Sequence, residues 1–128
     1  MNRRKALTTL AAVTAVPMAA APAPKPIQLH VELEVAPAKE KELIATFHKV
    51  FAPTITKQPG FVSVRLLKFR QAIGGSQPPA FKHRLCIAFQ TEEQRLAWVA
   101  SADHQRVWPE MDKSLQGARA VPILYDQL

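Results

Sequence analysis

The sequence predicts an α+β domain of ferredoxin-like β-α-β-β-α-β order, one antiparallel sheet with its helices on one face. Three observations carry that prediction. Ile27 to Val35 alternates apolar and polar residues without a fault. Leu43, Ile44, Phe47, Val50 and Phe51 then recur at helical spacing. Phe61 to Arg70, rich in β-branched and aromatic residues, and His83 to Thr91, which holds the apolar run Leu85 to Phe89, flank a stretch whose paired glycines and prolines exclude regular structure.

Taken in order, the chain opens with Met1 to Ala23: basic Arg3-Arg4-Lys5, an apolar run from Ala6 to Val16, and small residues from Ala19 to Ala23. That succession describes an export signal, because the apolar run is too short to span a bilayer. The paired arginines and weakly apolar core give it a twin-arginine character, and cleavage is open between Ala19 and Ala23. A disordered or membrane-anchoring N-terminus is the alternative. Pro22 to Pro26 reads as an extended linker.

In the first strand, Ile27, Leu29, Val31, Leu33 and Val35 line one face and Gln28, His30, Glu32 and Glu34 the other. Pro37 opens a helix at its first turn, where its missing N–H costs nothing. Pro53 should end or kink that helix. Gln58 to Gly60 marks a turn before the second strand, Phe61 to Arg70. Gln71 to Lys82 is a loop, and His83 to Thr91 is the third strand. Thr91 with Glu92 and Glu93 supplies a cap and a first turn for the second helical region. Gly117 should stop that region, and Ala118 to Leu124 forms the last strand. Pro122 favours an edge position for it, since proline cannot donate to a ladder.

Bulk properties narrow the function. A chain of 128 residues argues for one domain. The net charge is +7, but Arg3, Arg4 and Lys5 leave with the signal, so 14 of the 17 basic residues remain against 10 acidic ones, a balance of +4. These charges are scattered and lack an arginine-aromatic run, which argues against nucleic acid as a partner. Cys86, the single cysteine, sits within the apolar run Leu85 to Phe89 and reads as a buried free thiol, with no internal disulfide available. No histidine pair has i, i+4 spacing with a carboxylate, so no metal site is expected. No phosphate-binding glycine loop and no nucleophile-elbow serine is present.

One segment gathers chemistry: Trp98 to Trp108, WVASADHQRVW, holds both tryptophans and His104. In one continuous helix, His104 and Trp108 share a face and Trp98 lies roughly 120° away around the axis. In the alternative, Ser101 and Asp103 cap a second short helix, and Pro109 interrupts that one again. A broken helix makes a pocket wall; an unbroken one packs as core. Both readings of the tryptophans stand at this point. His30 could reach a subunit interface, His48 faces solvent, and His83 begins a strand.

The segments VAPAKEKEL after the first strand, QPGFVSV into the second and WVASADH after the third resemble the antibiotic biosynthesis monooxygenase-like domain of the dimeric α+β barrel superfamily. The resemblance covers nearly all of Ile27 to Leu128, and these short motifs specify fold better than activity. It implies a symmetric homodimer, which also suits a domain of about 105 residues with a small core of its own. It implies a site between sheet and helices that takes a small aromatic, phenolic or quinol-like molecule. His104 occupies the histidine of the family's Ser-x-x-His pattern, here Ser101-Ala102-Asp103-His104, and is the implied catalytic base. Trp98, Trp108, Ser101 and Phe47 are the implied substrate-binding residues. The implied reaction is oxygenation without metal, flavin or other cofactor, by an exported protein with no membrane partner once the signal is removed. The competing implication is a non-catalytic binding protein on the same fold, with haem held through a histidine among its ligands. Asn2 is the only asparagine. The asparagine that phenol-oxygenating and haem-degrading members place beside their tryptophan therefore has no counterpart in the domain.

Overall fold

The computed structural model describes residues 25–128, so the export signal expected over residues 1–23 lies outside the described residues. The alternating segment forms β1 (Ile27–Val35), followed by α1, a helical segment over residues 37–55, then β2 (Phe61–Lys68) and β3 (His83–Phe89). Two helices, α2 (Glu92–Ala100) and α3 (Ala102–Asp112), precede β4 (Leu115–Asp126). The strands make one antiparallel sheet in the order β2-β3-β1-β4, the ferredoxin-like arrangement. β4 is thus an edge, the position expected from Pro122, which pairs with Val31.

Strand register sorts the side chains, because alternate residues of a strand point to opposite faces. Leu29 pairs with Ile87 and Val31 with Leu85, so these four share the face that meets the helices. There Val31, Leu33, Leu85, Ile87 and Phe89 pack with Phe47, Phe51 and Ile55 of α1 and Val107 and Met111 of α3. The other face carries Gln28, His30 and Glu32, with Cys86 opposite His30 and Arg84 opposite Glu32. Cys86 is free and buried, and burial pushes its thiol pKa up.

The prolines behave differently from the sequence expectation. Pro53 neither ends α1 nor breaks it, since the helix continues to Ile55. The disturbance is absorbed upstream: Phe47–Phe51 widens into π-helical turns, with the Ala52 N–H donating to the Phe47 carbonyl. The ladder shifts by one residue just where the missing N–H of Pro53 would interrupt it. Pro109 likewise does not interrupt α3, which runs on to Asp112. Pro109 and Gln105, four residues before it, are both exposed, so the donor is missing on the solvent side of the helix.

Gly117 is not a helix stop. α3 ends at Asp112 and β4 begins at Leu115, three residues before the strand expected from sequence. Gly117 (φ 63) and Ala118 (φ 54) instead form a bulge inside β4. Leu33 pairs with Ala120 but Val35 pairs with Leu115, so β4 spends extra residues between two neighbouring pairs. Glycine accepts the left-handed conformation at no steric cost; Ala118 adopts it beside one that does.

Candidate functional site

The site begins at a corner between two helices. Thr91 caps α2, its hydroxyl oxygen accepting from the Gln94 N–H at 3.1 Å. Ser101 then leaves helical geometry (ψ 155) and caps α3. Its hydroxyl donates to the Trp98 carbonyl at 2.7 Å and accepts from the His104 N–H at 3.1 Å. One serine therefore ends the first helix and starts the second. Of the two arrangements open in the sequence, the broken helix forms.

That corner brings Trp98 against His104, a pair that an unbroken helix would hold apart. The His104 ring stands edge-on to Trp98 with centroids 5.0 Å apart, and stacks on Trp108 at 6.3 Å. Phe51 meets both indoles edge-on, at 5.9 and 6.2 Å. Such edge and offset contacts are the favoured geometries for aromatic rings.

The aromatic cluster walls a cavity of 470 Å³ between the sheet and the helices, a size suited to a small organic ligand. Its floor is Leu29 and Val31 of β1 with Leu85 and Ile87 of β3, and the β4 bulge brings Ala118 to its rim. Three lining side chains are ionisable: Arg95, His104 and Asp112. Burial holds the His104 pKa below the ordinary histidine value, so the ring is a neutral base near pH 7. Neither of its ring nitrogens hydrogen-bonds to a described residue, which leaves both for a ligand. Arg95 chelates Glu92 through Nε (2.7 Å) and Nη2 (2.6 Å). Among the described residues no group of three His, Cys, Asp or Glu side chains could hold a metal ion.

Of the residues singled out from sequence, Trp98, His104 and Trp108 converge on this cavity, while Ser101 and Phe47 do not line it. Ser101 spends its hydroxyl on the helix corner. Phe47 is 5% exposed and packs in the core, its remaining surface facing a separate hollow between α1 and β2. Trp98, at 2% exposure, is both core and cavity wall, so the two readings of it hold together. His83 pairs with Glu40 at 2.8 Å, tying β3 to α1. His30 lies against Tyr125 on the open sheet face.

Arg95 and Asp112 do not stand out in the sequence as site residues. A signal for each was present: Arg95 precedes Trp98 by three residues and Asp112 follows Trp108 by four, the spacings that share a helix face. Without the position of the cavity, both look like ordinary solvated charges.

Comparison with known proteins agrees with this fold. The family described as antibiotic biosynthesis monooxygenase matches residues 26–108, well over half of the chain. No curated protein matches. Among solved structures, a dimeric ferredoxin-like protein of unknown function from Jannaschia sp. CCS1 is 13% identical, with TM-score 0.66, covering 80% of this chain and 99% of its own. SnoaB from Streptomyces nogalater, described as a cofactor-independent oxygenase and solved as an asparagine-to-alanine variant, is 14% identical. Its TM-score is 0.63, with 80% of this chain and 93% of SnoaB covered. An ethyl tert-butyl ether (EthD) family protein from Bacillus halodurans is 13% identical at TM-score 0.61, covering 80% and 99%. At these identities the likeness shows the fold alone.

Proposed function

Because this chain belongs to the antibiotic biosynthesis monooxygenase family, we propose that it oxygenates a small phenolic or quinol-like molecule without a cofactor. The observation that carries the reading is the neutral, half-buried His104 set between two tryptophans on an apolar cavity. A phenol seated there loses its proton to the imidazole, leaving an electron-rich anion against polarizable walls. That anion reduces dioxygen directly. The ring carbon that carries the anion, a CH₂ in the keto tautomer of the phenol, becomes a carbonyl: one oxygen atom stays, and the other leaves as water with the phenolic proton and the ring hydrogen. Dioxygen supplies all the oxidising equivalents, so the balance needs no external reductant, metal or flavin.

Two further parts of the proposal rest on different observations. A homodimer would cover the open sheet face, where Leu67, Val121, Ile123 and Tyr125 are 39–47% exposed, a patch of the kind that marks an interface. The Jannaschia protein of the same fold, described as dimeric, supports it. Export rests on Arg3-Arg4-Lys5 and the apolar run after them.

An oxygen electrode tests the activity. Protein beginning at Pro22 is mixed with anthrone-type phenols and hydroquinones. The expected result is oxygen uptake above the spontaneous rate, abolished by His104→Ala while ligand binding persists. Uptake that survives His104→Ala would remove the imidazole from the chemistry, and binding without uptake would favour the non-catalytic reading.

A further inference from the structure

Arg95 lines the cavity and is not used by the reaction above. Its side chain is only 16% exposed, whereas the Glu92 carboxylate it chelates is 41% exposed. In a simple surface ion pair of residues three apart, both ends stay in water and the pair contributes little. Here the cation is the more buried partner, and it lines an otherwise largely apolar cavity. Glu92 engages Nε and Nη2, which locks the guanidinium plane and leaves the two N–H groups of Nη1 without an acceptor among the described residues. A rigid, half-occupied guanidinium fork is suited to a carboxylate.

The rest of the lining sharpens the ligand class. His104 is neutral, so Arg95 is the one fixed cation among the described lining residues. Asp112 lines the same cavity and makes no ion pair with a described residue; it offers an acceptor to a hydroxyl. The walls between are aromatic and aliphatic. We propose that Arg95 is a specificity-determining anchor and that the ligand is a hydroxylated aromatic acid, its carboxylate on the free edge of Arg95 and its hydroxyl toward His104 and Asp112. This rests on the cavity being the ligand site, as proposed above, and adds the anionic group that the ligand must carry.

Calorimetric titration with a matched pair of probes, 6-hydroxy-2-naphthoate and 2-naphthol, tests it on the protein from Pro22 onward. The two share the ring system and hydroxyl and differ in the carboxylate. The acid should bind about tenfold or more tightly than the naphthol. Arg95→Met should bring the acid down to the naphthol's affinity while leaving the naphthol within about twofold, and Arg95→Lys should retain part of the preference. Equal or tighter binding of the naphthol by the unmodified protein overturns the proposal without need of any variant, so a misfolded Arg95→Met cannot shield it. A loss that Arg95→Met inflicts equally on both probes also overturns it. Oxygen uptake reports separately on catalysis: a carboxylate preference without turnover keeps the anchor and removes the oxygenase, whereas turnover of neutral phenols without that preference does the reverse.

Discussion

The His104 imidazole lies 13° from parallel to the Trp108 indole, with ring centroids 6.3 Å apart. The two side chains sit one helical turn apart on α3 and face the same cavity, so a flat ligand entering it meets both. Trp108 is partly exposed and Trp98 is buried, and that difference separates ligand contact from structural support. Trp98→Ala should cost about 3–5 kcal/mol of stability, as expected for an aromatic removed from a core. Trp108→Ala should cost less and instead weaken ligand binding. Urea denaturation alongside ligand titration of the two variants separates these effects.

The helix corner depends on one hydroxyl. Ser101→Ala removes both the cap on α3 and the bond to the Trp98 carbonyl, and should lower stability by about 1 kcal/mol. Ser101→Asp keeps an acceptor for the His104 N–H but loses the hydroxyl donor, so its melting temperature should fall between the two. If the alanine variant melts with the unmodified protein, the corner is held by packing alone.

Burial lowers the His104 pKa from the ordinary 6.5, so the unfolded chain takes up that proton first as pH falls. The histidine's contribution to stability is therefore fully present above 6.5 and is lost as pH drops from there toward the folded value. His104→Gln removes it. Unfolding free energies measured at about pH 8 and about pH 5.5 should differ less in the variant than in the unmodified protein. Some acid sensitivity should remain from His30, which burial and then Arg84 also shift downward. Activity dependent on the neutral base should persist below 6.5 and fail only as pH drops through the folded value.

Gly60 is held at φ +80, where a Cβ would overlap the side-chain amide of Gln94. Gly60→Ala therefore meets both a left-handed backbone and a displaced neighbour at the start of β2, and should destabilise by about 1–3 kcal/mol. Gly74→Ala shares the positive φ but meets open space, so its loss should be smaller. Thermal melts of the two variants give the comparison.

The open sheet face makes a prediction about assembly. Ile123 stands opposite His30 in the middle of that face, and Ile123→Lys would place an unpaired charge in the proposed subunit interface. Light scattering behind a sizing column should show a dimer for the unmodified protein and a monomer for the variant. A monomer in both would leave the exposed patch without a second copy to cover it.

Local pattern along the chain is enough to place the strands and the first helix and to say which face of each is apolar. Alternation over Ile27 to Val35 settled β1, and helical spacing from Leu43 to Phe51 settled the packing side of α1. Both are legible because a repeat of two or of about 3.6 residues is a local property of the chain. That Trp98, His104 and Trp108 lie close together in one segment was legible for the same reason. Tertiary structure decided the rest. Pro53 and Pro109 stayed within their helices because a π turn and an exposed surface absorbed the missing N–H groups. The start of β4 followed from a bulge whose register is set by β1, some eighty residues earlier in the chain. Arg95 and Asp112 became cavity residues only when the Ser101 corner turned α2 and α3 toward the sheet. A side chain's spacing along a helix tells which residues travel with it. What that face meets is determined by strands distant in sequence, through contacts that no local pattern encodes.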